Sequence, residues 1–117
     1  MGRGKFEDLR VWQNARTFVN SVYDLMENNK DFGFRDQIQR AAVSIMNNIS
    51  EGYESGSDAK YVNFLNIAKG SCSEVRSMLY VCLDRKYCNK EQFESLKSQA
   101  IHISSQLYKL IEFLNNK

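Results

Sequence analysis

Apolar residues recur at steps of three and four along most of the chain, which is the spacing that places them on one face of an α-helix. Four segments carry this pattern, at about residues 8–27, 36–51, 58–86 and 90–115. The fourth is the most regular, because its apolar residues fit the a and d positions of three successive heptads. These residues are Phe93, Leu96, Ala100, Ile103, Leu107, Leu110 and Leu114. The pattern therefore predicts four helices.

Polar residues at the start of three segments fit helix N-caps. Asp8 is placed to cap the first helix and Ser57 the third, because short side chains with an oxygen accept hydrogen bonds from the first backbone amides. Asn89, with Gln92 three residues later, predicts a capping box at the fourth helix.

Two glycines bear on how the helices end and pack. Gly52 is placed where a C-cap glycine would end the second helix. Gly70 lies inside the third segment, where a glycine costs about 1 kcal/mol relative to alanine. We attribute Gly70 to the close approach of a neighbouring helix.

Short connections between the segments predict that successive helices pack antiparallel. The chain has no proline and only 6 glycines, which disfavours turn-rich β architectures. Its 117 residues are enough for one domain. The predicted fold class is all-α, a single antiparallel up-down-up-down four-helix bundle over residues 1–117.

Charge and cysteine content suggest a cytoplasmic protein without an obvious nucleic-acid groove. The net charge is +2, which is more balanced than the strongly basic surface typical of nucleic-acid-binding proteins. The 3 cysteines are odd in number and lack paired spacing, as expected in a reducing compartment. No apolar run approaches the roughly 20 residues that a membrane span requires. We expect no membrane association.

The chain lacks the residue patterns of common metal and catalytic sites. A di-iron bundle uses two Glu-x-x-His pairs, but His102 is the single histidine in this chain. The residue three positions before it, where the pattern requires glutamate, is Gln99. Cys72 and Cys82 are ten residues apart on one predicted helix, or about 15 Å, so they cannot share a metal. No Cys–His pair suited to nucleophilic catalysis is evident. We therefore predict no enzymatic activity, no metal and no cofactor.

Two basic clusters are candidates for contact with nucleic acid. They are Arg3, Lys5 and Arg10 near the N-terminus, and Arg85, Lys86 and Lys90 around the third connection. In a bundle of this topology the clusters lie at opposite ends of one monomer, so a single chain is not expected to form one continuous groove. An oligomer could repeat them as a basic ring.

Four polar residues of the second segment lie near one side of the helix, offset from its apolar seam. They are Gln37, Arg40, Asn48 and Glu51. One interpretation is a buried or subunit-facing hydrogen-bond network that favours specific assembly. The alternative is a functional site.

The second segment also carries a run that resembles a known family. The run is Asp36-Gln37-Ile38-Gln39-Arg40-Ala41-Ala42-Val43-Ser44-Ile45, followed by Asn48-Ile49-Ser50-Glu51-Gly52. It is similar to the signature of the four-helix bundle proteins of the 23S rRNA intervening-sequence family. Met46 departs from that pattern, because the family commonly has a proline after the Ser-Ile pair, and this puts a local kink of the second helix in doubt.

Three further stretches resemble the family in the same order, so that the resemblance covers nearly the whole chain. They are the opening residues Phe6, Leu9, Val11 and Trp12, the first connection Phe32-Gly33-Phe34, and the third-helix run from Phe64-Leu65 to Gly70-Ser71 with Glu74.

The resemblance implies an antiparallel four-helix bundle that assembles into a homopentamer and has no enzyme chemistry. Some members are encoded within intervening sequences of large-subunit rRNA genes. The accessory subunit of diversity-generating retroelements is similar, and it associates with nucleic acid and a reverse transcriptase.

The spread of apolar positions independently favours self-association, because wide apolar faces on a small monomer usually mark contact surfaces. On the first helix they are Leu9, Val11, Trp12, Val19, Tyr23 and Leu25. On the third helix they are Val62, Ile67, Met78, Tyr80, Val81 and Leu83. The leading hypothesis is a non-enzymatic, oligomeric scaffold or adaptor. The alternative is a nucleic-acid-binding accessory protein whose basic residues are assembled in a homo-oligomeric ring.

Overall fold

The computed structural model describes residues 4–117, which form a short 3-10 turn and four α-helices. The turn is Phe6–Asp8, and the helices are α1 (Arg10–Met26), α2 (Phe32–Tyr53), α3 (Asp58–Asp84) and α4 (Lys90–Asn115). No strand occurs within residues 4–117. The predicted all-α class with four helices is confirmed.

Contacts at both ends of the bundle show that α2, α3 and α4 alternate in direction. At one end, Lys117 Nζ after α4 lies 3.2 Å from Asp58 Oδ2 at the start of α3. At the other end, the hydroxyl of Tyr87 after α3 donates a 2.7 Å hydrogen bond to Asp31 Oδ2 before α2. The helices contact one another in the cyclic order α1–α2–α3–α4, and α1 closes against α4. The result is an elongated body of 49 × 20 × 20 Å.

The apolar seams of the four segments form one continuous core. The predicted seam of α4 is correct except at Leu110, which is half-buried, whereas its neighbour Ile111 is buried. An α-helix has 3.6 residues per turn, so its buried face drifts away from a strict heptad repeat. This drift places Ile111 in the core instead of Leu110, and Leu114 is again buried as predicted.

Two of the three predicted N-caps are confirmed. Ser57 Oγ accepts from Lys60 N at 3.2 Å, and Asn89 forms the capping box with Gln92. The prediction for Asp8 is wrong, because Asp8 belongs to the 3-10 turn and Leu9 precedes α1. The Asp8 carboxylate instead accepts a 3.3 Å hydrogen bond from the backbone amide of Lys5.

The second helix is longer at both ends than the predicted range 36–51. It begins at Phe32, because the Asp31 carboxylate caps the helix by accepting from Phe34 N at 3.4 Å. Residues 32–34, predicted as a connection, therefore form its first turn. At the other end α2 continues to Tyr53, so that Gly52 lies within the last turn and is not a C-cap.

Close helix approach occurs at Gly52 and not at Gly70. A Cβ added at Gly52 would lie 2.8 Å from Phe64 Cβ and 2.9 Å from Tyr61 Cδ1, both on α3. A Cβ added at Gly70 would meet no other heavy atom within 4 Å. The packing role predicted for Gly70 is therefore wrong, because its missing side chain faces outward.

The third helix ends two residues before the predicted boundary, in a Schellman motif. Tyr87 N donates to Cys82 O at 2.8 Å, and Lys86 N donates to Leu83 O at 3.2 Å. Lys86 has φ +63°, the left-handed conformation that this motif requires after a helix. This end could not be predicted from the residue types, since glycine usually occupies the position.

Candidate functional site

The polar residues of α2 lie along an outer groove between α2 and α3. We call it the α2–α3 groove, and its lining residues are Gly33, Asp36, Gln37, Arg40, Ala41, Ser44, Ser71 and Glu74. The groove exists because small residues, rather than large apolar ones, face each other where the two helices meet. It is open to solvent along its length.

Asn48 belongs to a hydrogen-bond network inside the chain. Its Nδ2 donates to the backbone carbonyl of Ser44 at 2.8 Å and to Ser44 Oγ at 3.0 Å. Ser71 on α3 is buried, and its hydroxyl donates to Ser44 Oγ at 2.9 Å. This network joins α2 to α3, and it places Asn48 in a structural role within one chain.

Gln37 makes a second polar bridge between the same two helices. Its Nε2 donates to Glu74 Oε2 at 3.3 Å, and both side chains are exposed. Glu74 lies in the third-helix stretch of the family resemblance, but the sequence did not show that it faces Gln37. Only the packing of α2 against α3 brings the two residues together.

Arg40 and Glu51 do not belong to this network. Both are exposed, and neither takes part in an ion pair formed within residues 4–117. Within one chain the four polar residues do not form one buried network, because only Asn48 is partly buried, and a subunit-facing network stays a prediction. Tyr23 of α1 borders a second shallow groove with Arg40 and Glu51, and its ring is exposed. This part of α2 presents opposite charges and an aromatic ring to the outside.

The structure places the basic candidates at the two ends of the bundle. Lys5 and Arg10 lie at the start of α1, and Arg3 lies outside the described residues. At the other end, Arg85 and Lys86 follow α3. Lys90 begins α4 there, where its ammonium is 3.8 Å from Glu94 Oε2. One monomer therefore does not bring the two clusters together.

The apolar positions expected on the outside of α1 are mostly used by the core. Val11 and Val19 are buried, and Leu9, Trp12 and Leu25 pack against the core. Of the six positions, Tyr23 alone is exposed. The width of the apolar face has a simple cause, since α1 packs against both α2 and α4.

The outside of α3 and α4 is richer in apolar residues. On α3, Ile67, Tyr80 and Val81 are exposed as predicted, whereas Val62, Met78 and Leu83 pack against the core. On α4, Ile101, Tyr108 and Phe113 are also exposed. These α4 residues lie outside the buried seam, so the apolar periodicity did not indicate them.

The remaining candidates for chemistry are weakly placed for catalysis. Burial raises the pKa of the Cys72 and Cys82 thiols to about 12, so they stay protonated near neutral pH. His102 is exposed on α4. The described part of the chain has no group of three or more His, Cys, Asp and Glu placed to hold a metal ion. None of its helices is both long and apolar enough to cross a membrane.

The helical bundle and the α2 run agree with comparisons to known proteins. The family model for the 23S rRNA-intervening sequence protein matches residues 7–109. The chain belongs to this family. Among solved structures it is similar to a protein of unknown function from the S23 ribosomal protein family of Bacteroides thetaiotaomicron, with 28% sequence identity and a TM-score of 0.81. The similarity covers 86% of this chain and 97% of that one.

The family resemblance seen in the sequence is thereby confirmed. A search of curated proteins finds no significant match. The residues matched by the 23S rRNA-intervening sequence family model include all of α1, α2 and α3, with both grooves beside α2.

Proposed function

We propose that this member of the 23S rRNA-intervening sequence family is a non-enzymatic scaffold or adaptor that works as a homo-oligomer. The observation that carries the proposal is the set of large apolar side chains exposed on a bundle only 20 Å wide. They are Tyr23, Phe32, Ile67, Tyr80, Val81, Ile101, Tyr108 and Phe113. Where such side chains form a contiguous patch on a small domain, they usually mark a contact surface.

The charges on α2 support an interface that is specific as well as apolar. Arg40 and Glu51 are exposed beside Tyr23 and have no ion-pair partner within residues 4–117. In a ring, one face of each subunit meets a different face of its neighbour. We propose that the α1 side of one chain, with Tyr23, meets the α3 side of the next, with Ile67 and Val81.

A ring of five subunits is part of the proposal and rests on the family resemblance alone. The apolar surface argues for association but gives no subunit number. A protein of this kind would act by presenting repeated surfaces, and its helices would supply no catalytic groups.

Charge substitutions at the proposed interface test this arrangement. We expect Tyr23→Lys and Ile67→Lys each to lower the mass measured by light scattering, because a desolvated lysine without a partner opposes association. The matched control is Ser98→Lys, at an exposed position of α4 that has no place in the proposed contact. Retention of the wild-type mass by both interface variants would contradict the α1–α3 contact.

A nucleic-acid-binding accessory role is the second candidate. Its support is the position of Arg85, Lys86 and Lys90 at one end of the bundle, where a ring of parallel subunits would repeat them around one rim. Duplex DNA and structured RNA would then be retarded in a mobility-shift assay. The logarithm of the binding constant would fall with the logarithm of salt by about 0.9 for each duplex phosphate contacted.

Substitution of Arg85, Lys86 and Lys90 by glutamine separates the two candidates. The accessory role predicts that the triple variant keeps its oligomeric mass and loses binding. Absence of a shift with the wild-type protein at low salt would leave the scaffold proposal alone.

A further inference from the structure

One face of α3 carries a regular alternation of basic, hydroxyl and aromatic residues. Lys69, Ser73, Arg76 and Tyr80 follow one another at positions i, i+4, i+7 and i+11. This spacing places all four on one side of the helix. The side is distinct from the α2–α3 groove, whose α3 residues are Ser71 and Glu74.

The fourth helix carries a stripe of the same spacing. Lys97, Ile101, Ser104 and Tyr108 also occupy positions i, i+4, i+7 and i+11. Because α3 and α4 are antiparallel, the lysine end of each stripe lies beside the tyrosine end of the other. Lys69 Nζ is 5.3 Å from the Tyr108 ring centroid, and Lys97 Nζ is 5.7 Å from that of Tyr80.

These crossed contacts show that the two stripes form one surface, which we call the α3–α4 face. Tyr80 is 47% exposed and Tyr108 is 54% exposed. Each helix rises about 1.5 Å per residue, so the eleven residues from lysine to tyrosine span about 16 Å. The face therefore presents two aromatic rings roughly 16 Å apart, with cations beside and between them.

The cations of the face remain available to an anion. None of Lys69, Arg76 and Lys97 is in an ion pair within residues 4–117. The contacts of Lys69 and Lys97 with the tyrosine rings contribute only about 0.5–1 kcal/mol at exposed sites. The nearby acids are Glu94, which pairs with Lys90, and Asp84 and Glu112, each one turn beyond a tyrosine. These acids lie at the ends of the stretch that contains Lys69, Arg76 and Lys97, and they limit its length.

We propose that the α3–α4 face binds a short single-stranded polynucleotide. Bases stack on Tyr80 and Tyr108, and phosphates bind Lys69, Arg76 and Lys97. Aromatic rings combined with unpaired cations are the features by which proteins bind single strands without reading their sequence. The length of the face suits the lower end of the roughly 4–16 nucleotides that single-strand-binding folds occupy. In a duplex the bases stack on one another and cannot reach the rings.

This proposal goes beyond the scaffold function and does not depend on it. Its residues differ from the basic clusters at the two ends of the bundle and from the proposed α1–α3 subunit contact. A single chain contains the complete face.

Fluorescence anisotropy with labelled oligonucleotides tests the proposal. The probes are a dodecamer of uridine, a dodecamer of deoxythymidine and a DNA duplex of the same length. We expect both single strands to bind more tightly than the duplex. Three phosphate contacts predict a slope of about −2 for the logarithm of the binding constant against that of salt concentration. In the variant with Arg85, Lys86 and Lys90 replaced by glutamine, binding of the duplex as tight as that of the single strands would overturn the proposal, as would no binding to either strand at low salt.

Tyrosine variants locate the site. We expect Tyr80→Ala and Tyr108→Ala each to weaken single-strand binding by about five- to 150-fold, since each removes one base-stacking ring. Tyr80→Phe and Tyr108→Phe keep the rings and should keep the affinity. The matched control is Phe32→Ala, because Phe32 on α2 is similarly exposed at 57% and also lies beside a cation, Arg35.

Two further measurements separate a loss of binding from a loss of folding. Circular dichroism identifies variants that do not fold, and Lys69→Gln with Lys97→Gln provides a second test that leaves both rings in place. That double variant should reduce the salt slope by about 1.4. Unchanged binding by both alanine variants, or an altered oligomeric mass with unchanged binding, would overturn the proposal and indicate a subunit contact instead.

Discussion

Lys86 adopts a backbone conformation that its residue type disfavours. Its φ of +63° lies in the left-handed region, where a Cβ costs about 1–2 kcal/mol. The Schellman hydrogen bonds from Lys86 and Tyr87 fix this conformation at the end of α3. The strain is local, because the described chain has no other non-glycine residue with positive φ.

Replacing Lys86 with glycine should therefore stabilise the protein. We expect Lys86→Gly to raise the free energy of unfolding by about 1 kcal/mol, measured by urea denaturation. Lys109→Gly is the control, since Lys109 lies exposed inside α4 and glycine there should cost about 1 kcal/mol. A loss of stability in Lys86→Gly would contradict the assignment of this turn.

Gly52 and Gly70 should respond in opposite ways to substitution by alanine. Gly52→Ala places a methyl group 2.8 Å from Phe64 Cβ, and overpacking of this kind costs about 1–3 kcal/mol. Gly70→Ala adds a methyl group in open space inside α3, where the better helix propensity should contribute about 1 kcal/mol. Thermal unfolding of the two variants measures both effects, and the same sign for both would contradict the packing described here.

At the scale of the helices, the sequence could predict those helix ends that depend only on neighbouring residues. Ser57 and Asn89 cap their helices as expected because an N-cap needs only its own first turn. The start of α2 was missed because the polar stretch before it hides Phe34, which continues the apolar seam one turn before Ile38. Phe34 also packs against Tyr87, with ring centroids 5.6 Å apart, and this contact requires the turn after α3.

The Ser44–Ser71 hydrogen bond gives a test of helix pairing. We expect Ser44→Ala to cost about 1–3 kcal/mol of unfolding free energy, because it leaves the buried Ser71 hydroxyl without its acceptor. The double variant Ser44→Ala with Ser71→Ala should recover part of that loss, since no buried hydroxyl then lacks a partner. Strictly additive losses in urea denaturation would show that the two residues are not coupled.

At the scale of the whole molecule, the sequence could predict the bundle but only part of its surface. The seams, the short connections and the run in α2 are properties of single segments. Whether Arg40 or Tyr108 faces solvent depends on which helices flank its own. A signal for the α3–α4 face was present, because Lys69 to Tyr80 and Lys97 to Tyr108 have equal spacing. The two stripes form one surface only because α3 and α4 pack antiparallel.

The bundle exposes eight large apolar side chains on its outer surface. Its core is continuous through all four helices, so the exposed aromatic residues are not needed to complete it. This separation of core and outer surface allows subunits to fold first and then associate. Association is the central claim of the proposed function.

Light scattering of the purified wild-type protein at micromolar concentration tests that claim most directly. We predict a mass close to five times the 13.6 kDa of one chain. A stable dimer would retain association but exclude the ring. A mass near that of a single chain would contradict the oligomeric scaffold altogether.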